Sequence, residues 1–227
     1  MHRLLLAVIV CGLFVLGSVG TAQANLIRNA SFENVPNSNT GQGMLPTDWV
    51  NITPPWPTAD TYSNDGSYGV SPSAYGNFTG VTAKDGIRWV AGWSSAGQES
   101  FGQWLTAPLT AGTDYVMSAW LHQAVRSDLN HPGGYEVFLT DTPGVQTSQI
   151  GFLGSTTSVS AGWQQFSFSF TATAAHAVLD FIEFGPVATT TSGSAYPGLD
   201  MVSLTAAAVP EPATVALLGI GLVGLAG

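Results

Sequence analysis

The chain has 227 residues, of which 45% are hydrophobic and only 8% are charged, and its formal net charge is −9. Five basic residues cannot form the basic face that neutralises nucleic-acid phosphates, and Glu, Lys and Arg are too scarce for coiled coils. An aromatic content of 11% excludes disorder caused by charge and polarity. Together with 27 Gly and 13 Pro, these values favour a single all-β domain outside the cytosol.

The N-terminus has the pattern of a secretory signal peptide. Arg3 supplies a positive charge, and the apolar run at residues 4–16 gives about 20 Å of helix, too short for the roughly 30 Å hydrocarbon core of a membrane. Residues 22–24 have the small-x-small pattern that signal peptidase accepts. We therefore expect residues 1–24 to be removed during export, which leaves a chain without cysteine. The alternative is a buried first helix.

The body of the chain, residues 25–208, has the alternation typical of half-buried strands, with turns rich in Gly, Pro, Asn and Ser. No segment has the pattern of a strong amphipathic helix, and residues 36–86 predict long loops with weak strands. The predicted strands are Leu26–Phe32, Ile87–Gly92, Phe101–Leu105, Tyr115–Leu121, Tyr135–Thr140, Gln164–Thr171, Ala177–Phe184 and Leu199–Thr205. Their number and spacing predict one all-β domain, a single jelly-roll β-sandwich.

A series of sequence landmarks follows in order along the body. Residues 25–33 have the pattern N-L-x-x-N-x-x-F-E, and Trp49 follows after a loop. Residues 112–115 and 162–165 introduce later strands, and residues 199–204 close the domain. This order resembles galactose-binding-like jelly rolls, which include many carbohydrate-binding modules. The resemblance implies a galactose-binding-like sandwich and says little about the ligand, because the fold serves many functions.

The same resemblance implies a metal site. Members of that family commonly hold a structural Ca²⁺ where the first and last strands meet, and the matching residues are Glu33 and Asp200. Hard cations prefer carboxylate ligands, and a domain without cysteine gains stability from a bound metal. The family usually has a second Asp or Asn after the matching Asp, whereas this chain has Met201. The alternative is that both carboxylates accept backbone hydrogen bonds at strand ends.

Seven Trp residues provide candidates for sugar binding. Sugar rings stack their apolar faces on exposed Trp or Tyr beside polar side chains. Trp56 lies in a Pro-rich segment that does not suit a central strand, and Trp93 is followed by Gln98 and Glu99. Trp56 and Trp93 are therefore the predicted ligand-binding residues, with burial in the core as the alternative for each. The Trp residues at landmark core positions are Trp49, Trp120 and Trp163.

The sequence gives little sign of catalysis. It contains neither H-E-x-x-H nor G-x-S-x-G, and its acids are scattered, so that no spacing identifies the carboxylate pair of a glycosidase. His122, Asp128 and His131 lie near one another along the chain and are the polar cluster that would have to face a pocket. We therefore predict that the protein is not an enzyme.

The C-terminus carries a second apolar segment behind a short motif. Val209, Pro210, Glu211 and Pro212 precede the Gly-rich, apolar residues 213–227. This arrangement resembles the PEP-CTERM sorting signal of exopolysaccharide-making bacteria. The resemblance implies an apolar C-terminal helix, transient anchoring in the inner membrane and processing by exosortase at the Pro-Glu-Pro motif. Such tails end in an Arg cluster that this sequence lacks, so either the sequence is truncated or the tail anchors poorly; a buried C-terminal helix is the weaker alternative.

Three functions remain open. The leading hypothesis is an exported surface or extracellular-matrix protein whose sandwich is a non-catalytic carbohydrate-binding module associating with exopolysaccharide. The second is a purely structural, glycosylated matrix protein without a defined ligand, and the third is an enzyme that acts on polysaccharide. Exposure of Trp56 and Trp93 on one concave face would favour the first. A carboxylate pair facing a deep pocket would favour the third.

Overall fold

The computed structural model describes residues 23–52, 58–94, 98–155, 162–189 and 193–208. Its compact body is Asn25–Ala206. The apolar N-terminal run, Trp56 and the sorting motif at Val209, Pro210, Glu211 and Pro212 lie outside the described residues, so the predictions for them are not examined by the structure. Within the described ranges, no helix is long and apolar enough to cross a membrane.

Short and medium strands make up most of the regular structure. The strands are β1 Val50–Asn51, β2 Asp60–Ser63, β3 Arg88–Ala91, β4 Phe101–Trp104, β5 Asp114–Gln123, β6 Gly133–Thr140, β7 Ser148–Gly154, β8 Gln164–Thr171, β9 Phe181–Ala188 and β10 Pro197–Ala206. Two single turns of 3₁₀ helix lie at Ala74–Gly76 and His176–Val178. The all-β prediction is confirmed.

The strands form two antiparallel five-stranded sheets. The first sheet has the order β2-β3-β10-β5-β8, and the second sheet has the order β1-β4-β9-β6-β7. The longest pairing joins β10 to β5, with Leu199 opposite Leu121 and Leu204 opposite Met117, and a register shift separates Asp200 from Ser203. The two-sheet sandwich that the strand pattern predicts is therefore present.

The main core lies between the two sheets, where alternate residues of each strand point inward. Trp49 packs at its centre against Phe32, Phe101 and Phe184, with ring centroids 4.9, 5.7 and 5.8 Å away. The three Phe of β8 pack against this core, as their alternation predicts. Burying such large aromatic faces supplies the apolar area that a small domain without disulfides needs.

A second apolar cluster lies on the other face of the first sheet. Trp89 of β3 belongs to it, whereas the next residue, Val90, belongs to the main core. Tyr62 of β2 stacks on Trp89 at 5.5 Å, and Phe78 meets both rings edge to face. Phe78 lies in the connection between β2 and β3, so this long loop is packed onto the sheet by aromatic side chains.

One predicted strand is wrong, and three strands were not predicted. Residues 26–32 form bends and turns because Asn29 and Phe32 adopt left-handed conformations, with φ of 44° and 61°. The segment still follows β10, since the Leu26 amide donates to the Leu204 carbonyl. The strands missed from the sequence are β1, β2 and β7. In addition, the first residues of the predicted strand Ala177–Phe184 belong to a 3₁₀ turn.

Candidate functional site

The loops at one end of the first sheet enclose a cavity of about 190 Å³. Its walls include two carboxylates, Asp60 and Glu99, and we call it the Asp60–Glu99 pocket. The aromatic residues that line it are Tyr75, Trp93 and Tyr196. Amides, a guanidinium and one apolar side chain complete the wall, from Gln42, Asn77, Arg126 and Leu129.

Antiparallel pairing brings these distant residues together. Asp60 begins β2, and the pairing of Asp60 with Ala91 places the end of β3 beside it. The start of β10 lies at the same end, because Gly198 also pairs with Ala91. Tyr196 immediately precedes β10, and Trp93 follows β3 by two residues. The antiparallel register of β2, β3 and β10 therefore brings together the strand ends that form the pocket.

Asp60 forms the centre of a buried hydrogen-bond network. Its Oδ1 accepts a bond from the Gly43 amide at 2.7 Å, and its Oδ2 accepts a bond from the Tyr196 hydroxyl at 2.9 Å. Gly43 has a φ of +72°, which favours glycine, and this conformation lets its amide face the carboxylate. Asp60 is only 5% exposed, and burial raises its pKa above the usual range despite both donors.

Glu99 is the second buried carboxylate and is 9% exposed. Its Oε2 accepts a bond from the Trp93 amide at 2.8 Å, while its own amide donates to the Trp93 carbonyl at 3.0 Å. These two bonds close the loop between β3 and β4. Burial raises the pKa of Glu99 to about 8, and the like charge of Asp60 contributes to the rise. At neutral pH the free pocket therefore holds a protonated Glu99.

A polar relay leads from the pocket into the second apolar cluster. The Tyr62 hydroxyl donates to the Tyr196 hydroxyl at 3.2 Å and accepts a bond from Asn77 Nδ2 at 3.0 Å. The relay ends at Asp60. Burial raises the pKa of Tyr62 and Tyr196 well above the ordinary tyrosine value, so both phenols stay protonated. Asn77 is 6% exposed, and its Oδ1 has no hydrogen-bond donor within the described part of the chain.

The rim of the pocket presents aromatic faces to solvent. Trp93 is 36% exposed and Tyr75 is 63% exposed. Tyr75 has a φ of 55°, a left-handed conformation that is costly for a bulky residue and that often marks functional positions. Arg126 binds Asp128 through two bonds of 2.7 and 3.0 Å and donates to the Tyr75 carbonyl. The Arg126 guanidinium thus holds the turn at Tyr75, and the Asp128 carboxylate balances its charge.

Of the two Trp residues predicted to bind a ligand, the structure describes one. Trp93 lies at the pocket rim, whereas Trp56 lies outside the described residues. Trp49 is in the main core, as predicted. Trp163 packs edge to face on Trp89 at the border of the second cluster, and Trp120 carries the Lys84 ammonium 3.8 Å above its ring.

The residues His122, Asp128 and His131, which an enzyme would need to face a pocket together, do not share one environment. His122 is buried between Phe78 and Trp163, and burial lowers its pKa. Asp128 lies at the surface, where its bonds to Arg126 lower its pKa. None of the three residues lines the Asp60–Glu99 pocket.

Glu33 and Asp200 both lie against the segment Lys84–Arg88. Glu33 Oε1 accepts bonds from the amides of Ile87 and Arg88, and its Oε2 is 3.3 Å from the Arg88 guanidinium. Asp200 Oδ2 accepts bonds from the amides of Lys84 and Asp85, and Oδ1 accepts a bond from Met201. Burial raises the pKa of Asp200 to about 7. Both carboxylates thus accept bonds from backbone amides, and the calcium prediction for them stays a prediction.

The pocket carboxylates were not identified from the sequence. Asp60 begins β2, whereas Glu99 lies in the loop before β4; the two share no motif, and only the sheet register brings them together. Glu99 was noted beside Trp93 as a polar neighbour, which was the one available signal. The second-cluster tyrosines that support Asp60 could not be distinguished from ordinary core aromatics.

The fold and the site together define an antiparallel β-sandwich with a polar and aromatic pocket built from the loops at one end. Within this class, the chain belongs to the HpiC1-like family, described as HpiC1 cyclase, which matches residues 23–181. The PEP-CTERM protein-sorting motif matches residues 208–227, so the sorting signal is confirmed. A search of curated protein sequences finds no match.

Solved structures include cyclases with the same fold. A cyclase from Fischerella sp. TAU shares 14% identity, with a TM-score of 0.56, over 84% of this chain and 100% of that chain. A Fischerella sp. TAU cyclase in complex with 4-(1H-indol-3-yl)butan-2-one has 15% identity and a TM-score of 0.54, over 84% and 100% of the two chains. At these identities the likeness shows the fold alone.

Carbohydrate-binding modules are also among the structural neighbours. The CBM22-1 xylan-binding domain from Paenibacillus barcinonensis Xyn10C has 13% identity and a TM-score of 0.47, over 83% of this chain and 98% of that chain. The family name points towards an enzyme, in conflict with the prediction that the protein is not one. Neither likeness assigns a reaction to residues of this chain.

Proposed function

We propose that this protein is an exported carbohydrate-binding protein whose ligand occupies the Asp60–Glu99 pocket. The observation that carries the proposal is the combination of exposed aromatic faces, Trp93 and Tyr75, with buried hydrogen-bonding groups in one cavity. Sugars need both features, because their C–H faces stack on aromatic rings while their hydroxyls need polar partners. The purely structural alternative gives no reason to hold Tyr75 exposed in a left-handed conformation.

The size of the cavity limits what it accepts. Drug-sized ligands occupy about 300–1,000 Å³. A cavity of about 190 Å³ therefore suits a single ring, such as one sugar residue at a chain end or a branch. Exopolysaccharide is the polymer that an exported protein of this kind would meet. Binding a branch or an end would attach the protein to the matrix without requiring a long groove.

The sorting motif supports the cellular part of the proposal. A PEP-CTERM tail implies export and processing by exosortase. We infer that the tail anchors the chain transiently in the inner membrane, and that the sandwich then acts at the cell surface, in the outer membrane or outside the cell. The low content of charged groups, 8% of residues, is consistent with a hydroxyl-rich partner.

Structural calcium at Glu33 and Asp200 remains a proposal. Asp200 is fully buried, and no Lys or Arg side chain in the described ranges pairs with it. A divalent cation between the segment Lys84–Arg88 and these carboxylates would supply the missing charge. The described residues contain no group of three or more His, Cys, Asp and Glu side chains arranged for a metal, so backbone carbonyls would have to complete the ligand set.

A second candidate function is catalysis in the same pocket. The observation that favours it is the pair of buried carboxylates, because burial raises the pKa of Asp60 and raises the pKa of Glu99 to about 8. The cyclase family and the indole compound held by a Fischerella relative make aromatic, uncharged substrates the class to test. A protonated Glu99 beside an aromatic rim can donate a proton to such a substrate.

A glycan array separates these possibilities. Wild-type protein and the variants Trp93→Ala and Trp104→Ala are applied to arrayed neutral and amino sugars, with an indole panel tested by calorimetry. Trp104 is a matched control because it is 44% exposed and does not line the pocket. We expect glycan binding that Trp93→Ala reduces about tenfold and Trp104→Ala leaves unchanged. Binding of the indole panel alone would favour the enzyme, and no binding to either panel would favour the structural alternative.

A further inference from the structure

The Asp60–Glu99 pocket contains two buried acids that no Lys or Arg in the described ranges pairs with. Four basic side chains lie in the described ranges, and each is engaged elsewhere. Arg88 contacts Glu33, Lys84 lies over the Trp120 ring, and Arg28 donates to the Leu105 carbonyl. Arg126 lines the pocket, but its Nε and Nη2 bind Asp128 and its Nη1 donates to the Tyr75 carbonyl. The pocket acids are therefore not neutralised by the described part of the protein.

The two pocket carboxylates have acceptor positions that no described residue fills. From described residues, Asp60 accepts two hydrogen bonds and Glu99 accepts one, while each carboxylate can accept about four. Asn77 uses its Nδ2 for Tyr62, and its Oδ1 has no donor among the described residues. The Tyr196 hydroxyl already donates its hydrogen to Asp60. A ligand rich in N–H donors would satisfy this lining better than a ligand that must also find donors.

The rim favours the same chemistry. The faces of Trp93 and Tyr75 carry the negative part of the aromatic quadrupole, which attracts cations. An ammonium group inside the cavity would be close to two carboxylates and two aromatic side chains. Charge-assisted hydrogen bonds are about twice as strong as neutral ones, and they strengthen further when screening by water is reduced.

We propose that the Asp60–Glu99 pocket recognises a protonated amine carried on a sugar ring, with Asp60 and Glu99 as its acceptors and Trp93 and Tyr75 as its aromatic walls. This inference rests on the proposed function and narrows its ligand class from sugars in general to amino sugars. The ammonium binds the ionised form of Glu99, so binding releases the proton that the free pocket holds at neutral pH.

The test is isothermal titration calorimetry of the purified protein with glucosamine, N-acetylglucosamine and glucose near pH 7. These probes share one ring and differ in whether an ammonium, an amide or a hydroxyl is present. We expect glucosamine to bind about tenfold or more tightly than the other two. Repeating the titration in two buffers of different ionisation enthalpy should show proton release for glucosamine alone.

Variants of the pocket carboxylates test whether these residues cause the preference for glucosamine. Glu99→Gln and Asp60→Asn should each reduce the preference for glucosamine over glucose to about threefold or less. Asp141→Asn is the matched control, since it removes one exposed acid that does not line the pocket. If a pocket variant does not fold, the comparison of the three probes on the wild-type protein still decides the question.

The outcomes are distinguishable. Equal or tighter binding of glucose, or tight glucosamine binding that both pocket variants retain, would overturn the amine inference while leaving carbohydrate binding in place. Failure of all three probes, together with failure of the glycan array, would overturn both the inference and the proposed function.

Discussion

The Tyr196 hydroxyl donates a 2.9 Å hydrogen bond to Asp60 Oδ2, joining the residue before β10 to the first residue of β2. Both groups are buried, so the bond supports a carboxylate that has little access to water. Burial nevertheless raises the pKa of Asp60, which means that this donor and the Gly43 amide do not fully compensate for lost hydration. Burying the Asp60 carboxylate thus lowers the stability of the folded protein, as groups in binding sites often do.

Replacing Tyr196 with Phe should make the free energy of unfolding more dependent on pH. Without the hydroxyl, the pKa of Asp60 rises further, so the folded state loses stability up to a higher pH than in the wild type. We expect a loss of about 1–3 kcal/mol at pH 7 and a smaller loss near pH 4. Urea denaturation across this range measures it. Tyr115→Phe, which removes a hydroxyl that accepts a bond from the Thr110 amide, should cost the same at both pH values. A cost of Tyr196→Phe that is likewise the same at both pH values would refute the explanation.

Glu99 should make the protein less stable as pH rises. Its pKa is about 8 in the folded protein, against an ordinary value of 4.5 for a Glu side chain, so the folded state retains a proton that the unfolded state loses. The free energy of unfolding therefore falls between about pH 4.5 and pH 8, by up to about 1.4 kcal/mol per pH unit for this group. Glu99→Gln should flatten that part of the curve, measured by chemical denaturation.

The surroundings of Glu99 define what else titrates in this experiment. Asp60 faces it with a like charge, and Arg126 lines the same pocket while bound to Asp128. The phenols of Tyr135 and Tyr196 stay neutral because burial raises their pKa. The difference between Glu99→Gln and the wild type isolates Glu99, and an unchanged slope would mean that this acid is ionised in the folded protein.

Tyr75 should show a conflict between stability and binding. Its left-handed conformation, with φ of 55°, costs about 1 kcal/mol or more for a residue with a side chain. Tyr75→Gly should therefore be more stable than Tyr75→Ala by about 1 kcal/mol, while both weaken ligand binding to the same extent. Thermal unfolding and calorimetry measure the two effects. Equal stability of the two variants would show that this conformation is not strained in solution.

Calcium should stabilise the protein if the proposed site at Glu33 and Asp200 is filled. A ligand at about 100 times its Kd adds about 2.7 kcal/mol, which corresponds to a melting temperature about 5 °C or more above that with a chelator. Asp200→Asn should remove this difference, whereas Asp141→Asn should retain it. An unchanged melting temperature of the wild type with chelator would mean that the backbone donors and Arg88 hold this region without a metal.

The sequence predicted best the strands in which apolar and polar residues alternate most regularly. Residues 164–171 form β8 with the predicted bounds because three Phe on one face leave a single favourable register. The same reasoning fails at residues 26–32, where Asn29 and Phe32 take left-handed conformations that a hydrophobic pattern does not reveal. The short strand β2 carries four buried residues and thus shows no alternation to detect.

The site was less predictable than the fold. Trp93 could be identified because it stands among Gly, Ser and acidic neighbours, but its partner carboxylate Asp60 depends on the pairing of β2 with β3. A carboxylate pair facing one pocket was the feature that would strengthen the case for an enzyme, and only the tertiary structure brings that pair together. The pocket carboxylates are brought together by strand pairing between distant parts of the chain, which a local sequence pattern does not reveal.

The most direct test of the account is a crystal structure of the protein with a bound amino-sugar oligosaccharide. The account predicts one sugar ring stacked on Trp93, with its polar groups within hydrogen-bonding distance of Asp60 and Glu99. A ligand bound elsewhere on the sandwich, with water alone in the Asp60–Glu99 pocket, would contradict it.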